Sequence, residues 1–543
     1  MKIRNLILSC VMLGAMPAAA QSTQSFQEFR QGILNDFQDF RKTVLDHYAD
    51  FLNGTWHEYE PLEPLKRNET PKPMDVPDVR VSKPGTVPAD LPSPSLADLP
   101  PVKKPDKEVP DEKPASPFDL PKPIVPPEAK DVVPPTIKVK PDLGGSPLIA
   151  ALPVVPGKEL PDETPEPVPS VPQESREGKD PVSFYGMEIL VPQVDFNIME
   201  SIGSAADFAR NWKVMEEQDM ARNVMPLFKQ QFEKMGLNDY LAYEFLCAYM
   251  DSKFPAYSSA SKFSAVHYIL SNLGYDVRIA LSTKTGDPVL LMPSQQKLYG
   301  KVYMTLGGER YYVLTAPGVN IMGSPIATCD LPKVASSGKR FDLRIKGLNL
   351  PVKERPFNIE YGKIKLSGVL NENLMSLVYR YPQMDTADFA ESVLDNNLRR
   401  NLVAQLKEQL DGMDKNVATD QLLEFVQFGF SYATDDSFHG FEKPYFLEEN
   451  LYYPKNDCED RAIFYTYMLW NALGVENHLL FYPGHESAAV ALSGEVSGTG
   501  YDYNGKRFYI SDPTYVGSRT GQCMPQFVTV EPKIDLTLPR EQR

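Results

Sequence analysis

Three residues carry the types that a nucleophilic centre needs. Cys458, His485 and Asp512 supply a thiol, a base and an orienting acid, and each neighbouring pair is 27 residues apart. Cys458 lies in NDCEDRA (456–462), followed at once by the apolar run IFYTYMLWNALG. A thiol attacks as its thiolate, and the unpaired N–H groups and dipole of a helix start favour that anion. Asn456 reads as the N-cap, with Glu459 as its capping-box partner, so Cys458 is expected in the first helical turn. Asp457, Glu459 and Asp460 oppose the thiolate, so a cationic partner is needed. His485, in YPGHESAAVAL, opens a strand after a Pro-Gly turn, and Asp512, in FYISDPTY, closes another just before Pro513.

These three meet only under one sheet topology. In an antiparallel pair the start of one strand faces the end of its partner. If 485–492 and 506–512 pair directly, His485 sits opposite Asp512, and the carboxylate can fix the imidazole tautomer that takes the thiol proton. Residues 494–505 must then project as a hairpin, for which Gly498, Gly500 and Asn504-Gly505 offer turns. If 499–503 lies between the two strands instead, histidine and aspartate end at opposite edges and no triad forms.

An internal repeat supplies the positioning elements. FYGMEILVP (184–192) matches EYGKIKLSG (360–368), and ADFA occurs at 206–209 and 387–390. NVMPLFKQQFEKMGLN (223–238) matches NLVAQLKEQLDGMDKN (401–416), and the segments 264–281 and 464–481 align on Leu273-Gly274 and Leu473-Gly474. GGERYYVL (307–314) matches NGKRFYIS (504–511), and GSPIATC (323–329) matches GSRTGQC (517–523). Six matches in one order imply two divergent copies of one domain, over 181–335 and 358–535. Each reads as helices, then a long helix ending at Leu-Gly, then short strands with Gly turns, which is an α+β pattern. In the first copy the chemical positions fall on Ser258, Thr285 and Thr315, and the segment FHGFEKPYFLEENLYYPKND before Cys458 has no counterpart. That copy is expected to keep the fold without the chemistry. Ordinary alternatives remain for each residue: Cys458 as a buried structural thiol, His485 as a strand start, and Asp512-Pro513 as a plain turn. His439, His478, Tyr452 and Tyr453 are expected to pack, and Cys329 and Cys523 to pack or to pair.

The rest of the chain bounds the setting. At 543 residues it is long enough for two or three domains. A net charge of -16 argues against nucleic acid as a partner. Residues 1–20, with Lys2 and Arg4, a short apolar stretch and Ala18-Ala19-Ala20, read as a signal peptide, so export to the periplasm or beyond is expected, with no transmembrane segment. Residues 21–56 read as an amphipathic helix with Phe26, Phe29, Ile33, Phe37, Phe40, Val44, Tyr48 and Phe51 on one stripe, stopped at Asn53-Gly54 and packed on the chain's own domains or on a second copy. Residues 57–180 hold most of the chain's 50 prolines and read as an extended or disordered spacer. At about 3.1 Å per residue, such a spacer reaches on the order of a few hundred ångström. With no C-x-x-C or H-E-x-x-H there is no sequence support for zinc, and neither metal nor cofactor is expected.

The combined pattern resembles the transglutaminase-like superfamily, which has a papain-like Cys–His–Asp core. The family's C-x-D-x-A, H-A-x-V and D-P-T map onto Cys458-Asp460-Ala462, His485 and Asp512-Pro513-Thr514. The Cys-to-His interval is short for the family, and Glu486 and Ser487 follow the histidine where an aromatic is common. The resemblance implies two tandem domains of this fold, the first degenerate. It also implies a cysteine peptidase, amidase or acyl transferase, exported if the signal-peptide reading holds. In that reading Cys458 attacks a peptide or cell-wall-type amide, His485 is base then acid, and Asp512 orients it. The competing expectation is a non-catalytic cell-envelope scaffold that uses both domains for protein or glycan contacts.

Overall fold

The computed structural model describes residues 48–67, 130–132, 148–149, 175–329, 338–494 and 496–539. The expected signal peptide, residues 21–47 of the expected helix and most of the Pro-rich stretch lie outside them. The described chain is α+β. It opens with a helical turn, α1 (Tyr48–Leu52), and a strand, β1 (Trp56–Tyr59), joined much later by β2 (Lys130–Val132). The helix stops where Asn53-Gly54 follows it. Its buried residues are Ala49 and Leu52, while Phe51, placed on the apolar stripe above, is exposed. This end of the helix packs on the chain itself, where the Trp56 ring stacks on Phe208 at 6.1 Å.

Residues 57–67 correct the spacer reading. Trp56-His57-Glu58-Tyr59 contains no proline, so its N–H groups are free to complete the open edge of a sheet. The strand pairs antiparallel with residues 326–329, Trp56 opposite Cys329 and Tyr59 opposite Ile326, and β2 pairs in turn with β1. The folded region also begins slightly before 181, because β3 (Lys179–Phe184) forms a hairpin with β4 (Met187–Pro192). There Val182, Phe184, Met187, Ile189 and Val191 alternate inward.

Five helices follow: α2 (Ala205–Glu217), α3 (Met220–Asn223), α4 (Met225–Met235), α5 (Asp239–Lys253) and α6 (Ser259–Asn272). Then come β5 (Arg278–Ser282), β6 (Pro288–Pro293), β7 (Tyr303–Leu306), β8 (Glu309–Thr315) and β9 (Ile326–Cys329). The second half repeats the plan. A hairpin of β10 (Glu354–Tyr361) and β11 (Ile364–Asn371) precedes α7 (Glu372–Val378), α8 (Thr386–Glu391), α9 (Asn396–Leu410) and α10 (Lys415–Gly429). Short pieces β12 (Ser431–Tyr432), α11 (Asp435–Phe438), α12 (Glu449–Tyr452) and β13 (Lys455–Asn456) lead to α13 (Cys458–Leu473). The chain ends in β14 (Asn477–Tyr482), β15 (His485–Ala491), β16 (Gly500–Tyr503), β17 (Lys506–Ile510) and β18 (Lys533–Leu538).

The two main sheets share one order. The first runs β9-β5-β6-β8-β7, extended at β9 by β1 and β2; the second runs β18-β14-β15-β17-β16. All their pairings are antiparallel. Each sheet is preceded by a buried helix, α6 or α13, that ends at the shared Leu-Gly. Gly474 takes φ 61, a left-handed cap open to glycine, and its N–H returns to the carbonyl of Trp470. On α13, Ile463, Phe464, Met468 and Leu469 are fully buried. Each such side chain contributes about 1.5–3 kcal/mol by leaving water.

Candidate functional site

The site is built where α13 points its first turn at the start of β15. The helix begins one residue later than the sequence suggests. Asp457, not Asn456, is the N-cap, and Asp460, not Glu459, completes the box, with Asp457 N–H donating to Asp460 Oδ2 at 3.1 Å. Asn456 has other work: its Oδ1 accepts from Arg461 Nε at 2.9 Å and its amide donates to Asn450. Cys458 is therefore the first helical residue.

The pairing question resolves in favour of direct contact. β15 pairs with β17, Ala489 opposite Ile510 and Ala491 opposite Phe508, and β16 lies outside β17. With φ 47 and 76, Asn504 and Gly505 are both left-handed, as a two-residue hairpin requires, so 500–503 folds back on β17. That hairpin fits either arrangement; the pairing of β15 with β17 is what leaves β16 on the outer edge. His485 Nε2 and Asp512 Oδ2 are then 2.8 Å apart. Asp512 Oδ1 accepts the N–H groups of Thr514 and Tyr515 at 2.8 and 3.2 Å. Gln427 Nε2 donates to the carbonyls of Asp512 and Tyr515, which pins the loop to α10. Phe527 stacks on the imidazole at 5.2 Å, nearly parallel.

Cys458 joins this pair only partly. It is fully buried, and its sulfur receives the N–H of Glu486, the residue next to His485. Its own proton goes to Glu459 Oε2 at 3.1 Å, not to the imidazole. Burial pushes the thiol well above its ordinary pKa, and the carboxylates of Glu459 and Asp457 add to this against the Glu486 N–H. In this state the sulfur is a neutral thiol, with the His485–Asp512 pair formed beside it.

Carboxylates dominate the surroundings. Asp435, Asp457 and Glu459 have oxygens within 4.8 Å of one another, all buried, a hard-oxygen set of the kind that suits Ca²⁺ or Mg²⁺. Glu442 and Glu486 also lie near Glu459, and both are pushed up to about 8, first by burial. Asp460 Oδ1 accepts the N–H of Tyr445 at 2.8 Å, and Asn450 donates to the Asp460 carbonyl, so the segment 438–457 is strapped to the helix start. Within that segment Lys443 pairs with Glu449 at 2.5 Å, and Glu448 takes both Nε and Nη2 of Arg399, at 2.8 and 2.9 Å. Arg461 closes the other side, with Nη2 donating to the Phe430 carbonyl at 2.7 Å.

One cation comes from far away in sequence. Arg67 lies with Nη1 at 3.1 Å from Glu442 Oε1 and 3.9 Å from Glu459 Oε1, and Nη2 at 3.8 Å from Glu486 Oε1, and it donates to Thr386 Oγ1. Burial works against its charge, but Glu459, Glu486, Glu442 and Asp457 outweigh that and hold the guanidinium protonated.

The remaining candidates are packing residues. His478 Nδ1 meets Tyr501 OH at 2.7 Å and the ring stacks on Phe508 at 3.9 Å; burial lowers its pKa to about 4. His439 meets Tyr445 OH at 2.6 Å, and burial, then Lys443, lowers its pKa to about 3. Tyr452 and Tyr453 are buried. No disulfide joins Cys329 to Cys523. Cys329 ends β9 while Cys523 lies in the loop before β18, so the Gly-Ser to Cys match does not put them at equivalent strand positions.

Sequence reasoning missed Arg67, Glu442, Thr386, Gln427 and Phe527. Glu486 stood out only as a departure after the histidine. The segment 438–457, absent from the first half, was the one available pointer to Glu442. Compared with family models, curated proteins and solved structures, the chain matches none. Among the described residues no helix is long and apolar enough to cross a membrane.

Proposed function

We propose that the chain is an exported thiol enzyme built from two tandem transglutaminase-like domains, the first without chemistry, and that it hydrolyses peptide or cell-wall-type amide bonds. Cys458 attacks the carbonyl, and its proton passes to Nδ1 of His485. His485 then returns that proton to the leaving amine, and Asp512 holds the ring through Nε2. Water resolves the acyl-enzyme; an amine in its place gives transfer. The N–H of Cys458, the first of the helix, supplies part of the oxyanion hole. The observation that carries this reading is the 2.8 Å contact between His485 and Asp512 beside a helix-start cysteine. The shared order of the two sheets supports the duplication.

One observation favours the second reading, a non-catalytic envelope scaffold. The thiol is buried, neutral and bonded to Glu459. Alkylation by iodoacetamide, followed for each cysteine by mass spectrometry in the full chain, separates the two. The enzyme reading expects Cys458 to react at a rate that falls when His485 is changed to Gln. It fails if Cys458 reacts more slowly than the half-exposed Cys523 and is indifferent to His485→Gln.

A further inference from the structure

The carboxylates beside Cys458 outnumber the cations available to them, and the one that faces Glu442, Glu459 and Glu486 together is borrowed from residue 67. The arm that delivers it is folded. Leu62 N–H donates to the Tyr303 carbonyl at 2.7 Å, and Gly300 N–H donates to the Leu65 carbonyl at 2.9 Å. The arm thus runs along β7 of the first half and ends with its guanidinium in the second. Thr386 Oγ1 accepts from Arg67 and donates to Glu486 Oε1, so a neutral side chain also serves the guanidinium. Glu459 joins this cluster to the chemistry: one oxygen takes the thiol proton of Cys458 and the other faces Arg67.

The guanidinium leaves oxygens of the pocket unpaired. Glu442 Oε2 and Glu486 Oε2 are buried with no hydrogen-bond partner, and Glu486 is 6% exposed. A planar fork with several donors suits such a ring of carboxyl oxygens, and a group without N–H or O–H donors would leave them unpaired.

We propose that Glu442, Glu459, Glu486 and Thr386 form a subsite for a guanidinium or ammonium group of the substrate, next to the bond attacked by Cys458, and that Arg67 fills it as a pseudosubstrate. This rests on the proposed thiol chemistry for its position next to the scissile bond, but the subsite itself is a binding claim. The substrate class is then a peptide with an arginyl or lysyl side chain. The arm 60–67 must leave for that residue to enter, so the full chain is self-occluded.

The test uses the full chain with Arg67→Ala, and with Arg67→Gln as a second variant of closer shape. The probes are N-acetyl-arginine amide and its neutral counterpart, N-acetyl-citrulline amide. The arginine probe should raise the Tm of either variant by at least about 2 °C through preferential binding to the folded state. It should leave the wild type unmoved, and adding Glu442→Gln to Arg67→Ala should abolish the shift. Equal shifts with arginine and citrulline probes, or none with either, overturn the subsite. A shift with calcium chloride but none with the arginine probe also overturns it, in favour of a metal ion on the same carboxylates. In parallel, Cys458 alkylation should rise at least tenfold in Arg67→Ala and be slowed by the arginine probe. Binding without any Cys458 reactivity would sink the enzyme reading and leave the subsite standing, whereas a reactive Cys458 indifferent to Arg67 and to the probe would sink the occlusion alone.

Discussion

The two halves place the same strand order under very different chemistry. In the first, Ser258 caps α6 in the ordinary way, its side chain accepting from Ser261 N–H at 3.2 Å. Thr285 sits in the turn before β6 and donates to Ser282 Oγ at 2.8 Å, and all six residues of β6 are buried, four of them Val289, Leu290, Leu291 and Met292. In the second half the same places hold Asp457 with Cys458, His485 with Glu486 and Ser487, and Asp512. The scaffold therefore does not need the polar centre for its own stability. Burying one costs free energy unless every charge finds partners. Those partners are additions that the first half lacks: the segment 438–457, Arg461 and the arm ending at Arg67.

The largest expected effect breaks the comparison at its centre. Cys458→Ala should abolish amide hydrolysis and electrophile labelling at that position, while Cys329→Ala, at a buried thiol of the first sheet, should leave both intact. Next, Asp512→Asn should lower the rate of Cys458 acylation about 10³-fold by upsetting the imidazole tautomer, whereas Thr315→Val at the matching strand end should not change it. Either outcome reversed would mean that the halves do not divide structure from chemistry as described.

A smaller effect tests the added segment. Arg399 and Glu448 are both buried and doubly bonded, so Arg399→Met should destabilise the second half by about 3–5 kcal/mol in urea unfolding, because Glu448 is left charged without its partner. The smallest effect is in pH dependence. Burial raises Glu442 and Glu486 to about 8, with Glu459 adding and Arg67 subtracting. Their folded forms keep protons that the unfolded chain releases above its ordinary 4.5. Stability from these groups is thus fully present below pH about 4.5 and is lost as pH rises through about 8. Thermal unfolding across that window should show the decline, and Glu442→Gln should flatten it.

Much of this arrangement can be read from residue types. Helix α13, its Leu-Gly end and the Asn504-Gly505 hairpin follow from local signals, and the repeat gives the order of elements. The choice between adjacent and separated strands is not set by that hairpin, which fits both, but by which edge of β17 meets β15, a tertiary pairing with no local signal. The cap slipped by one residue because Asn456 is recruited by Arg461 and Asn450, a tertiary contact that overrides its local preference. Residues 56–67 were hidden for another reason. Four residues without proline, next to a long Pro-rich tract, look like its beginning, and only the open edge of β9 gives them a place. Arg67 has no local signature at all, since its meaning depends on carboxylates hundreds of residues away.

The most direct measurement is the structure of the full-length Arg67→Ala protein after reaction with an arginyl chloromethyl ketone. The account predicts the adduct on Cys458, its guanidinium among Glu442, Glu459 and Glu486, and His485 Nδ1 within hydrogen-bond reach of the sulfur, about 3–3.5 Å. An adduct on Cys523 alone, or a His485 ring that stays out of reach of a modified Cys458, would contradict it.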